Sequence, residues 1–290
     1  MFTFIIINYN QKELITECIK SIHENITSFP FEIIVVNNSP EEDLTYLTEN
    51  FSGLNLITNK NLGFAQANNL AVKHAKYDFL VFLNADTKIK TDFTKGFIEK
   101  FGASEFGAVG LKLYNQDNTF QLSFWKENTF FNEIENKKLE KIFTDKKTAD
   151  VLNIEKEYSE IKEVDWITGA SMVMKKDIFT KTGGFDERFF LFYEDADICK
   201  RLQENGYKTY FYPHCKIIHY KGENINKEFE DKTYYYAKKS QLLYYNLHNG
   251  ITDRVFLRSY LFIRFLLRTI FRPCSINYRI FKLVCGIRND

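Results

Sequence analysis

The feature that most constrains this chain is a series of short apolar runs, each stopping at a polar residue and handing over to a helical pattern. Thr3 to Asn8 (TFIIIN) is apolar almost throughout, as expected of a strand buried on both faces. Gln11 to Asn25 follows with helical spacing through Leu14, Ile15, Cys18, Ile19 and Ile22. Phe31 to Val36 (FEIIVV) predicts a second strand and Leu54 to Ile57 a third. Phe64 to His74 predicts a helix, and Phe79 to Leu83 (FLVFL) a fourth strand ending in Asn84-Ala85-Asp86. This βαβαβαβ order predicts an α/β fold with a doubly wound, parallel sheet. Ligands of such sheets bind beyond the carboxyl ends of the strands, where Asn8, Asn37, Asn38 and Asp86 all fall.

The pattern changes at Tyr114. Residues 114–163 are rich in Lys, Glu, Asn and Asp with weak periodicity, and read as an insertion of short helices and loops. Order returns at Val164 (VDWITGASMVM), a strand passing a small-residue turn. Glu194 to Asn205 predicts a helix closed by Gly206. Lys208 to Tyr212 and Lys216 to His219 read as short strands. Helices over 228–248 and 253–271 close the chain, with Pro273 stopping the second. The expected division is a catalytic domain over 1–225, carrying the insertion, and a C-terminal helical segment over 226–290.

Charge divides the same way. Residues 251–290 carry a net +6 and the first 250 residues −5, which is not a nucleic-acid-binding profile. Arg254, Arg258, Arg264, Arg268 and Arg272 fall within an arc of about 120° on an ideal helix. That suits a basic amphipathic helix lying on an anionic bilayer, or a helix packed on the domain with its arginines in solvent. No apolar run reaches membrane-spanning length, because arginines interrupt 255–271. Five cysteines without C-x-x-C spacing argue against a disulfide framework or structural zinc. The N-terminus lacks a signal-peptide pattern, so a cytoplasmic location is the expectation.

Three segments could carry chemistry. Asp86, beyond an apolar strand, could hold a divalent cation across two phosphates, or simply belong to a turn. Glu194, Asp195 and Asp197 follow the aromatic run Phe190 to Tyr193. They could cap a helix, or one of them, beside aromatic walls, could act as a base. His219 ends the KIIH strand and is either structural or a ligand.

Together these segments resemble the inverting family 2 glycosyltransferases, in particular the rhamnosyltransferase-like branch. The similarity lies in FIIINYN, in Asn61-Leu62-Gly63-Phe64-Ala65-Gln66-Ala67-Asn68-Asn69, in LVFLNADT, and in GASMVMKK with GGFDERFFLFYEDADICKRL and the later IIH. The resemblance implies a GT-A fold, Rossmann-like and mostly parallel, with a C-terminal helical appendage. It implies transfer of a sugar from a nucleotide diphosphate sugar (dTDP-rhamnose-like or UDP-linked) to a glycan or lipid-linked acceptor in cell-surface polysaccharide synthesis. Asp86 and His219 would hold Mn²⁺ or Mg²⁺, the imidazole favouring Mn²⁺, and Asp195 would be the general base. Donor contacts would come from Asn8, Asn37, Asn61, Gly63, Asn68, Asn84, Gly169 and Ala170. Glu194, Arg188 and Trp166 would lie on the acceptor side. The enzyme would work in the cytoplasm, peripheral to the inner face of the plasma membrane.

The chain departs from the family pattern in three places. Asn37 stands where many members carry a base-contacting Asp, its amide oxygen still able to accept from a uracil or thymine N–H. Asn84 replaces the first Asp of D-x-D. CKRLQENG holds no Q-x-x-R-W, which argues for adding one or a few sugars. A nucleotidyltransferase would want a Gly-rich loop after the first strand, and NYNQKEL offers none. A degenerate sugar-binding or scaffold partner would have lost Asp86 or Asp195, and both are present.

Overall fold

The structure is a computed structural model describing residues 1–145, 148–220 and 227–287. In chain order the strands are β1 Phe2–Asn8, β2 Phe31–Asn37, β3 Leu54–Thr58, β4 Phe79–Asn84, β5 Thr87–Ile89, β6 Ala108–Tyr114, β7 Phe120–Gln121, β8 Phe124–Trp125, β9 Lys162–Val164, β10 Trp166–Ile167, β11 Ser171–Lys175 and β12 Thr209–His219. The helices are α1 Lys12–Asn25, α2 Tyr46–Asn50, α3 Phe64–His74, α4 Thr94–Phe101, α5 Phe130–Thr144, α6 Thr148–Glu157, α7 Lys176–Lys181, α8 Glu194–Glu204, α9 Lys227–His248, α10 Ile251–Phe271 and α11 Ser275–Cys285.

The main sheet runs β3-β2-β1-β4-β11-β6-β12-β5. β1 pairs in parallel with β2 and β4, β2 with β3, and β6 with β12. β11 lies antiparallel between β4 and β6 and so restores their common direction. β5 runs antiparallel to β12 at the edge. Six of these eight strands therefore point the same way, the doubly wound and mostly parallel arrangement expected.

Strand alternation divides the core. Phe2, Phe4 and Ile6 face the layer that holds Ile15, Ile19 and Ile22 of α1 and Phe97 of α4. Ile5 and Ile7 face Ala65, Ala71 and Val72 of α3 with Ile198 and Leu202 of α8. Both faces of β1 are buried, which is why its sequence reads as a continuous apolar run.

Four expectations need correction. The two strands expected over 208–212 and 216–219 are one strand, β12, whose register against β6 shifts between Tyr212 and Ile217. Pro213 lies in that interval and has no N–H to give a ladder, so the sequence looked interrupted where the strand only bulges. The insertion is not limited to short helices and loops. α5 has 15 residues, β7 joins β6, and β9 joins β12. Phe120, Phe124 and Val151 are buried in the same core as Phe82 and Phe211. A third C-terminal helix, α11, follows Pro273. The boundary expected at 225/226 lies outside the described residues.

The fourth correction concerns α10. Its buried residues are Leu257, Leu261 and Phe265, which lie in the same arc as the arginines. Arg258 donates to the Val284 carbonyl at 3.0 Å and Arg268 to the Tyr234 hydroxyl at 3.1 Å. The arginine side is thus the packed side, because long alkyl stems cover apolar neighbours while their heads reach polar atoms. Among the described residues no helix is long and apolar enough to cross a membrane.

Candidate active site

The carboxyl ends of β1, β2 and β3 carry a buried amide network. The Asn8 side chain donates to Asn37 Oδ1 (3.0 Å) and to Glu42 (2.8 Å). Asn37 Oδ1 also accepts from the Ser39 N–H, and its NH₂ donates to the Glu42 carbonyl. Asn37 is 2% exposed and both acceptor sites of its amide oxygen are taken, so the expected hydrogen bond from a base N–H has no free lone pair to use. Asn68 is equally committed: its side chain is buried and donates to the Phe64 carbonyl within α3.

The loop before α3 is tied to the run before α8. Asn61 Oδ1 accepts from the Gly63 N–H, and Phe64 N–H donates to the Phe190 carbonyl at 2.9 Å. Gly63 has φ +106°, and a Cβ there would stand 2.6 Å from that same carbonyl. Only glycine allows this approach.

Beyond β4, Asp86 is buried and its Oδ1 lies 3.2 Å from His219 Nε2. The Asn84 amide nitrogen lies 3.3 Å from the same ring nitrogen. The pairing of β5 with β12 sets Thr87 opposite His219, and the Tyr220 N–H donates to the Asp86 carbonyl.

Gln121, which the sequence reading missed, fixes the imidazole. Its NH₂ reaches two acceptors, the His219 carbonyl at 3.2 Å and Asn115 Oδ1 at 2.8 Å. Its oxygen must then be the atom 2.7 Å from His219 Nδ1, so Nδ1 carries a hydrogen. Nε2 is left toward Asp86, the orientation in which a neutral imidazole offers a metal its lone pair. The only local signal was a polar residue inside FQLSF, within a segment of weak periodicity.

A carboxylate oxygen and an imidazole nitrogen at this separation suit a divalent cation completed by phosphate oxygens. Among the described residues no group of three or more His, Cys, Asp or Glu could hold a metal unaided. A cavity of about 720 Å³ adjoins His219, lined also by Gln121, Trp125, Glu140, Phe143 and Tyr220.

Asp195 lies in the first turn of α8, one residue after its start at Glu194. Its oxygens accept from the Gly169 N–H at 3.0 Å and the Ala196 N–H at 2.8 Å. Burial raises its pKa from the ordinary aspartate value, and those N–H groups oppose the rise. A Cβ on Gly169 would touch Asp195 Cβ at 3.7 Å and Phe64 at 3.5 Å. The next residue, Ala170, accepts from the Asn84 N–H at 3.1 Å. Two consecutive residues, 169 and 170, therefore bridge the Asp195 helix and the Asp86 turn.

Its neighbours have different tasks. Glu194 is 5% exposed and its Oε2 has no hydrogen-bond partner; burial, with Asp195 nearby, raises its pKa well above the ordinary range. Asp197 binds Arg201 through one oxygen (2.6 Å) and His248 of α9 through the other (2.7 Å), so it pins the C-terminal helices to α8. Arg188 is exposed and engaged with Asp186. Trp166 stacks on Trp125 with centroids 4.4 Å apart and donates to the Lys126 carbonyl.

The aromatic run before α8 also has a reason. Phe192 and Tyr193 have φ +67° and +68°, a left-handed conformation costly for such residues. Helix α9 holds them there. Phe190 stacks on Tyr236 at 4.4 Å, Ser240 donates to the Leu191 carbonyl at 2.8 Å, and Tyr193 packs on Tyr244. The strained turn aims Asp195 toward Gly169, and α9 over-determines it.

The family model described as glycosyl transferase family 2 matches residues 3–154, and one described as the N-terminal domain of galactosyltransferase matches 149–223. The rhamnosyltransferase WbbL of Escherichia coli (strain K12) is 25% identical over 272 residues, 89% of this chain and 97% of its own. The fold is similar to that of S. aureus TarS 1-349 in complex with UDP-GlcNAc (TM-score 0.59, 15% identity, 98% of this chain and 79% of that one). It is also similar to GalNAc-T7 with UDP, GalNAc and Mn²⁺ (TM-score 0.58, 12% identity, 84% and 49%).

Proposed function

The chain belongs to glycosyl transferase family 2, and from that premise we propose that it is an inverting, metal-dependent transferase. It moves a sugar from a nucleotide diphosphate donor, dTDP-rhamnose-like or UDP-linked, to a hydroxyl of a glycan or lipid-linked acceptor in cell-surface polysaccharide synthesis. The observation that carries this reading is the bridge through residues 169 and 170, which ties Asp195 to the cation-suited pair Asp86 and His219. The similarity to rhamnosyltransferase WbbL over most of both chains supports the donor class.

Asp195 takes the proton of the acceptor hydroxyl as that oxygen attacks the anomeric carbon. The bond to the diphosphate breaks on the opposite face, and the nucleoside diphosphate departs. Such a base contributes about 10²–10⁴-fold. Asp86 and His219, oriented by Gln121, would hold the divalent cation. When bound it neutralises charge on the departing diphosphate. Gly169 and Ala170 leave room for the sugar ring. No covalent nucleophile is needed: Cys18, the cysteine beneath the Asp86 turn, has its thiol pushed up to about 12 by burial.

The test is a thermal-shift panel of dTDP-, UDP- and GDP-linked sugars with and without Mn²⁺. One donor should raise the melting temperature of the native chain only with Mn²⁺, and Asp86→Ala should abolish that rise. Equal stabilisation without the cation, or in Asp86→Ala, would remove the metal from the reading.

A further inference from the structure

One side of α10 exposes mainly apolar residues, interrupted by Thr252 and Ser259, and at its margin Phe262 packs on Phe281 of α11 with ring centroids 5.4 Å apart. Val255 is 55% exposed, Ile263 57% and Ile270 60%, and Phe256, Phe262 and Leu267 are exposed beside them. At about 100° per residue these side chains fill one half of the helix circumference. The surface continues onto the insertion, where Phe131 of α5, 67% exposed, lies 6.5 Å from Phe256 between ring centroids. A contiguous apolar face of this kind on a globular protein marks an interaction site.

Charge decides the partner. The half-circle is bordered by Arg258 on one side and Arg264 on the other, and the remaining arginines of α10 lie behind it. The one acid of the helix, Asp253, accepts from the Phe130 N–H and is thereby drawn inward. A protein groove would need acidic groups to meet both borders. A bilayer with anionic headgroups meets them everywhere, while its acyl region takes the apolar centre.

We propose that α10 and the start of α5 form one bilayer-docking surface, which lies in the headgroup plane with Phe256, Ile263 and Ile270 entering the acyl region and Arg258 and Arg264 at its margins. This goes beyond the transfer reaction and does not depend on it. It also reverses the orientation that the sequence suggests, since the helix docks by its arginine-free side.

The experiment is flotation of the full chain with vesicles of phosphatidylglycerol and phosphatidylcholine in equal parts, against phosphatidylcholine alone. The chain should float with the anionic vesicles and weakly with the neutral ones. Ile263→Glu with Ile270→Glu should abolish flotation; both positions are exposed, so the melting temperature should stay near native. Arg258→Glu should weaken binding by at least about fivefold, the effect of one cation near such a surface. Flotation unchanged in the double variant would overturn the proposal. So would failure to float combined with a dimer that the double variant dissolves, which would assign the face to a second copy.

Discussion

The strand-end site and the C-terminal helices handle polar and apolar groups in opposite ways. At the strand ends, Asn8, Asn37, Asn68 and Gln121 are buried, and each is held by named hydrogen bonds. On α10 the arginines turn toward the packed side while large apolar groups stand in the open. Burying polar groups is costly unless they are paired, so a fully paired set marks a rigid, pre-arranged site. Exposing apolar groups costs free energy until something covers them. The two regions meet at α9, which clamps the strained turn before Asp195 and is itself pinned by Asp197.

The sharpest way to break this comparison is at Asp195, to which we assign the proton transfer. Asp195→Asn should lower transfer by about 10²–10⁴-fold while donor binding, read by calorimetry, stays within error. Native rates in that variant would mean that Asp195 is another structural polar group. Gln121→Leu separates scaffolding from positioning. It should weaken Mn²⁺ affinity by about 10- to 100-fold and shift the His219 ring-nitrogen NMR signals toward a mixed tautomer. A change in melting temperature with the tautomer and affinity unmoved would make Gln121 structural only.

Glu194→Gln should have the smallest effect on transfer near neutral pH. Its influence is on stability. The folded-state pKa lies above the unfolded value, so the native chain loses stability as pH rises between the two. Relative to the native chain, the variant should gain in melting temperature from acid to mildly alkaline pH. A difference that is flat across that range would show that Glu194 ionises normally.

Much of the fold was legible because both faces of β1, β2 and β4 are buried, so their sequences are apolar without interruption until the polar strand ends. Asp86, Asp195 and His219 could be singled out for the same reason: each is polar at the end of, or just after, an apolar segment. The insertion was harder to read. Phe120, Phe124 and Val151 come from three separate elements, β7, β8 and α6, and converge on one core, so no single period records it. Asn37 was hard to read because its residue type fits either a ligand contact or a buried network, and the sequence shows none of its three partners.

By itself the sequence determined the local periods, the strand-end acids and the basic C-terminal composition, since these follow from side-chain polarity taken one segment at a time. Tertiary structure alone decided that Gly169 and Ala170 join two distant acids, that Gln121 sets the His219 tautomer, and which side of α10 faces outward. Those choices depend on contacts between segments far apart in the chain, where one helix can satisfy its pattern in either orientation until α9 and α11 pack against it.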